Sequence, residues 1–303
     1  MRETVIKSPS KRDLVFLDEE QQSPQQTPLI ILAFGEDFSG KSRFGATAPE
    51  VIGCVPLDRK TRSTFERTAR ELKRRYLIPK QDLVREGNMA VRGRWSELAE
   101  AVEAEKSDSE IAKIVEATKK VYRSHINMVK EVTWALHDRD EVQTVFIDTF
   151  EQFYQDMLFA YYGRVGHLVR RMPTGKMYKD TSEANQETVD FVNSLSDKNL
   201  ILTHRTKEEY YKDVRTGRMI WSGYKWLGHN CTLVIEHVKN KRYDPGSEKP
   251  GERWHYGLSV QKCTDNIELE GPIGQADGGG GLTDGNVNFE MLRTLVWPET
   301  AVW

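Results

Sequence analysis

The chain has 303 residues, 38% hydrophobic and 30% charged, with 44 Lys and Arg against 46 Asp and Glu and a formal net charge of −2. That is enough chain for one large domain or two ordinary ones, and the near-neutral balance excludes a protein basic over its whole surface, though not a local basic patch. No apolar run approaches the ~18 residues that span a bilayer, and the opening MRETVIKSPSKRDLVFLDEEQQSPQQTP lacks the apolar stretch of a secretory signal, so a cytoplasmic protein with no membrane partner is expected.

Residues 1–27 are polar and rich in Gln, Ser and Pro, which predicts a mobile tail in which VFL at 15–17 docks locally. LIILAF (29–34) is short, apolar and stopped by glycine, so it reads as a buried strand, with SRFGATAP as a helix ended by Pro49. VIGCVPLD (51–58) reads as a second buried strand. RKTRSTFERTARELKRRYLIPK follows, with nine Lys and Arg against two Glu, as a helix with a basic face. From WSELAEAV to LHDRD, about 95–140, apolar residues recur at three- and four-residue steps, including Ile111, Ile114, Val115, Val121 and Tyr122. The spacing predicts a helical insertion, and SDSE (107–110) supplies a capping box.

TVFID (144–148) is a third buried strand followed by a helix, TFEQFYQDMLFAYYGRVGHLVRRM, and NLILTHR (199–205) is a fourth strand. CTLVIEHVK (231–239) and HYGLSVQKC (255–263) alternate more, with the turn-rich YDPGSEKPGE between them. Residues 28–272 therefore read as one α/β domain: an open, mainly parallel sheet with helices on both faces and an antiparallel C-terminal hairpin. Residues 273–303 form a glycine linker and a short apolar tail, FEMLRTLVW, that docks on a neighbour or on its own domain. Cys54, Cys231 and Cys263 stand singly on apolar stretches and read as buried hydrophobes in a reducing compartment.

The chemistry enters at GEDFSGKS, residues 35–42, which fits G-x-x-x-x-G-K-[ST]. In such a loop glycines let the backbone wrap phosphates, and successive N–H groups with the following helix favour negative charge. Gly35 and Gly40 serve the turns, Glu36, Asp37, Phe38 and Ser39 form the loop, Lys41 reaches the β- and γ-phosphates, Ser42 binds Mg2+, and Arg43 opens the helix. With glycine at roughly 7% of residues, a chance match in a chain this long is on the order of one in a hundred, so the motif carries weight. A nucleotide site also needs a carboxylate at the end of an adjoining buried strand to hold the Mg2+ shell. Asp148 supplies it; Thr149 follows, which excludes the classes that place a catalytic Glu there.

This pairing resembles the RecA-like branch of P-loop ATPases, and within it the phage Sak-type single-strand annealing and recombination proteins. The resemblance covers residues 28 to about 270 and rests on GEDFSGKSRFGATAP with VIGCVPLD, TVFIDT, NLILTHR, GYKWLGHNCTLVIEHV and GLSVQKCTDNIELEG, of which the loop and TVFIDT are the specific parts. It implies an ATPase using ATP and Mg2+, with His204 as the sensor of the γ-phosphate. It implies that Lys262 reaches a neighbour's site in trans, with Lys239, Lys241 and Arg242 as competitors, and hence a homo-oligomer, ring or filament. Asp58 is the carboxylate nearest the family's base position, with Glu66 and Glu151 as alternatives.

TKEEYYKDVRTGRMIWSGYKWLG lies where RecA-like proteins carry a DNA-binding loop. It interleaves Tyr210, Tyr211, Trp221, Tyr224 and Trp226 with Lys212, Arg215, Arg218 and Lys225, as single-stranded DNA binding requires. It also reads as a hairpin turning at Thr216-Gly217 whose aromatics pack on the body. RVGHLVRRMPTGKMYK is a candidate second contact loop, and a phage single-stranded-DNA-binding protein a candidate further partner. The rival readings are a helicase-related or loader ATPase acting on a protein, and a small-molecule kinase.

Overall fold

The strands owe their burial to apolar side chains on both of their faces. In the computed structural model the described residues are 28–84, 100–101, 104, 107–162, 174–211, 214–224, 226–244, 251–264, 271–273 and 288–296. In chain order they form β1 (Ile30–Gly35), α1 (Lys41–Gly45), β2 (Ile52–Pro56), α2 (Arg59–Glu71), β3 (Tyr76–Leu77), α3 (Asp108–His137), β4 (Thr144–Asp148), α4 (Phe150–Tyr162) and α5 (Thr174–Asn193). They continue with β5 (Asn199–His204), β6 (Thr206–Tyr211), β7 (Val214–Trp221), a 3-10 turn (Leu227–Asn230), β8 (Leu233–Asp244), β9 (Gly251–Cys263), β10 (Gly271–Ile273) and α6 (Phe289–Val296).

Eight strands form one sheet in the order β10-β9-β8-β1-β5-β4-β2-β3. The run from β8 to β3 is parallel, and β8 and β9 pair antiparallel from Leu233↔Cys263 to Asp244↔Gly251. The mixed α/β class with its C-terminal hairpin is thus as the sequence predicts. One expectation is corrected: β4 does not adjoin β1, because β5 lies between them, with Ile31 opposite Ile201 and Val145 opposite Leu200.

Side chains alternate across a strand, so each strand feeds two cores. Leu32, Phe34, Val145, Ile147, Leu200 and Leu202 face one way and pack with Ile126 and Val129 of α3, Phe153 and Met157 of α4, and Phe191 of α5. Ile31, Ala33, Ile52, Cys54, Phe146 and Ile201 face the other way, against Phe44 of α1, Phe65 and Ala69 of α2, and Phe289 and Leu292 of α6. Each Val, Leu, Ile, Phe or Met among them contributes about 1.5–3 kcal/mol when fully buried. The Phe65 and Phe146 rings stack at 5.3 Å and hold α2 against β4.

Several local expectations change. The helix after the loop stops at Gly45, short of Pro49. The basic segment is helical only to Glu71, after which Tyr76 and Leu77 pair with β2 as an edge strand. The insertion is largely one 30-residue helix, α3, whose start is held by the Ser107 N–H donating to Glu110 Oε2 at 3.2 Å. α5 begins at Thr174 inside the candidate second contact loop, whose earlier part, like the tail 1–27 and most of the glycine linker, lies outside the described residues. The apolar tail is α6, docked on its own domain: Phe289 stacks on Phe44 with centroids 6.4 Å apart and donates its N–H to Thr47 Oγ1 at 2.9 Å. Among the described residues no helix is long and apolar enough to cross a membrane.

Candidate functional site

β1 ends at Gly35 beside His237 of β8. A Cβ at Gly35 would stand 2.4 Å from the His237 carbonyl oxygen and 2.6 Å from Ser39 Oγ, so only glycine fits. The loop closes at Gly40, whose φ of 97° lies in the left-handed region and starts α1 without a side-chain cap. Lys41 is 7% exposed, and its Nζ donates to the carbonyls of Gly35 at 2.7 Å and Glu36 at 2.8 Å. Burial lowers its pKa, opposed by the charge of Asp148.

Asp148 ends β4 at 2% exposure. Ser42 Oγ donates to its Oδ2 at 2.7 Å, and Thr203 of the intervening β5 donates to Oδ1. Burial raises the Asp148 pKa, while those hydroxyls, the Lys41 ammonium and a hydrogen bond from Thr61 work to keep it ionised. The motif residues, a hundred positions apart in sequence, therefore share one hydrogen-bonded centre.

They line a cleft of about 680 Å3 together with Asp37, Phe38, Arg43, Asp58, Lys60 and Arg205. A loop whose first glycine admits no Cβ, a buried ammonium, and a hydroxyl beside a carboxylate suit a polyphosphate with Mg2+, which takes few protein oxygens and completes its shell with phosphate and water. Among the described residues no cluster of three or more His, Cys, Asp or Glu forms a self-sufficient metal cage.

Other predicted residues are less central. His204 follows Thr203 and so points to the opposite face, where its ring meets Phe150 at 5.7 Å and its Nδ1–H donates to Ser222 O at 2.5 Å. Burial drives its pKa down to about 4, so the ring is neutral. On the Asp148 side of this strand end stand instead Thr203, buried and bonded to Asp148, and Arg205, which lines the cleft; strand periodicity identifies both once Asp148 is placed. Of the candidate bases, Asp58 lines the cleft and caps α2 by accepting the Lys60 N–H at 2.8 Å. Glu66 pairs with Arg62 and Arg70 along α2, and Glu151, 6% exposed, accepts from Ser222 Oγ at 2.7 Å. Lys262 gives its protons to the carbonyls of Gly228 at 2.9 Å, His229 at 3.3 Å and Cys231 at 2.9 Å, all in its own chain. Of its competitors, Lys239 reaches the loop, 3.5 Å from Glu36 and bonded to the Asp37 carbonyl. Lys241 and Arg242 lie on β8, with side chains outside the described residues.

The predicted DNA segment forms its own two-stranded sheet, β6 with β7. Tyr211 pairs with Val214, and Thr216-Gly217 lies within β7, so the hairpin does not turn there. Residues 214–219 are exposed, and Arg215 pairs with Glu208 across the strands at 3.1 Å. Trp221 instead packs on Phe34 at 5.7 Å, and Tyr224 stacks on Tyr154 at 6.1 Å, so both belong to the body. Trp226 is 56% exposed and stacks on His229. Lys212, Lys225 and the side chains of Tyr210 and Tyr211 lie outside the described residues.

No family model matches the chain, and no curated protein matches it. Among solved structures it is similar to that of a prototypical ATPase from the type III secretion system of pathogenic bacteria, at 9% identity and a TM-score of 0.35, over 69% of this chain and 51% of that one. The chain spans about half the length of that protein.

Proposed function

We propose that the protein binds and hydrolyses a nucleoside triphosphate, ATP by the resemblance of its motifs, at the loop of residues 35–42. The carrying observation is the meeting of Lys41, Ser42 and Asp148 at one buried end of the sheet. Loop amides and the Lys41 ammonium would hold the phosphates, and Ser42 and Asp148 would hold Mg2+, which when bound neutralises charge developing on the phosphoryl oxygens. In the reaction a water oxygen bonds to the terminal phosphorus as its bond to the bridging oxygen breaks, leaving ADP and inorganic phosphate. In the resting loop Lys41 is satisfied by the Gly35 and Glu36 carbonyls, so a phosphate must draw the ammonium from those acceptors.

The finer reading is a RecA-like recombination ATPase that assembles as a ring or filament and binds single-stranded DNA for annealing or strand exchange. Its support is the exposed β6–β7 arm, with Arg215, Arg218 and, just beyond, Trp226 in solvent. The packing of Trp221 and Tyr224 on the body removes two stacking platforms and favours the second reading, an ATPase that acts on a protein partner. Salt-dependent binding to a single-stranded oligonucleotide, strengthened by an ATP analogue, separates the two. Ordered rings or filaments in electron micrographs with DNA and the analogue support the first; no oligonucleotide binding supports the second.

A further inference from the structure

The cleft contains a cation that the loop motif does not account for. Arg205 comes directly after β5, two positions beyond Thr203, so it emerges on the side of the sheet where Thr203 meets Asp148. Its backbone is fixed from behind: its N–H donates to Glu151 Oε2 at 3.3 Å, and its carbonyl accepts from the Ser222 N–H at 2.7 Å. Its guanidinium spans the mouth of the site, with Nη2 2.8 Å from Oδ2 of Asp58, the cap of α2, and Nε 3.5 Å from Asp37 Oδ1 in the loop.

These contacts hold the side chain extended without binding it tightly. The Arg205, Asp58 and Asp37 side chains are 47%, 27% and 65% exposed, a setting in which an ion pair contributes about 0–1 kcal/mol. A guanidinium offers five N–H donors in a planar fork matched to phosphate. Two carboxylate contacts leave most of that fork open to a more highly charged anion. Lys262, by contrast, is committed to three carbonyls of its own chain.

We propose that Arg205 reads the terminal phosphate of the bound nucleoside triphosphate, and that it does so from the same chain that holds the nucleotide. This rests on the nucleotide reading above and adds that discrimination of triphosphate from diphosphate needs no neighbouring subunit. Asp37 and Asp58 are the resting partners of the guanidinium. When the phosphate takes Arg205, Asp58 Oδ2 is released toward the cleft while its Oδ1 remains the cap of α2.

Titration calorimetry of the full chain with Mg2+ and either ADP or a non-hydrolysable ATP analogue tests this. Arg205→Ala should bind ADP within about threefold of the unmodified protein and lose about tenfold or more toward the analogue, as removal of one charge-assisted contact implies. Arg205→Lys, which keeps the charge without the fork, should fall between. An unchanged preference for the analogue overturns the proposal, and so does an equal loss toward both nucleotides. Mixing Arg205→Ala with Lys41→Ala protein distinguishes the chains: phosphate release stays at the level of the separate variants if Arg205 acts in its own chain, and recovers if it acts across an interface. Binding of neither nucleotide by the unmodified protein overturns the nucleotide reading itself, a result distinct from lost discrimination in the variant alone.

Discussion

At the loop end of the sheet, Lys41 and Asp148 are 7% and 2% exposed and closely hydrogen-bonded, whereas residues 214–219 along β7 stand in solvent, with Arg215 paired to Glu208. Both regions are rich in charge, yet only in the first does burial dictate which residues stand there. A buried ammonium or carboxylate is costly unless nearly every hydrogen-bonding position is filled. The exposed arm answers to no such constraint, so its residue types say less about its task.

The largest expected effect falls on the buried centre. Lys41→Ala should lower phosphate release by on the order of a thousandfold, while replacement of residues 207–219 by a short turn leaves DNA-independent release near its starting level; equal losses would erase the distinction between the two regions. Next is the packing beneath the loop. Phe289→Ala should cost about 3 kcal/mol in a denaturant titration, the low end for a buried phenylalanine, because that ring lies on Phe44 of α1. On the arm side, Trp226→Ala should weaken single-stranded oligonucleotide binding by about 1 kcal/mol, the lower range for a stacked base, without altering Tm. Unchanged oligonucleotide affinity would take Trp226 out of any contact surface.

The most gradual effect is a drift with pH. Burial holds the His204 and His237 rings at pKa values of about 4 and about 3, against an ordinary 6.5. Below pH 6.5 the unfolded chain takes up protons that the folded chain refuses, so this share of stability is complete above 6.5 and is lost as pH falls toward those values. His204→Gln should flatten the decline between pH 6.5 and 4 in thermal melts. A slope identical to that of the unmodified protein would show that the ring's burial contributes nothing to acid sensitivity.

That GEDFSGKS and TVFID end neighbouring parts of the sheet and meet was legible, because a phosphate-binding pattern asks for specific residues at strand ends, and apolar runs such as LIILAF and NLILTH mark strands buried on both faces. Local pattern does not reveal which strands become neighbours. The insertion of β5 between β1 and β4, which brings Thr203 onto Asp148, was therefore outside its reach. His204 was assigned to the site by its place at a strand end, but the two-residue period of that strand turns Thr203 to Asp148 and Arg205 to the cleft. Trp221 and Tyr224 show a different limit: amphipathic rings suit a core and a DNA surface equally, and only tertiary packing on Phe34 and Tyr154 decides.

The stacking of Phe289 on Phe44 couples the start of the domain to a segment made much later. On a ribosome adding about 5–20 residues per second, tens of seconds separate the emergence of these two rings. Until then the hydrophobic underside of α1 lacks its cover, and the nascent domain presents Phe44 to whatever else can bind it. Packing at the loop end of the sheet is thereby completed only once α6 has emerged, which leaves α1 open to chaperone capture in the interval.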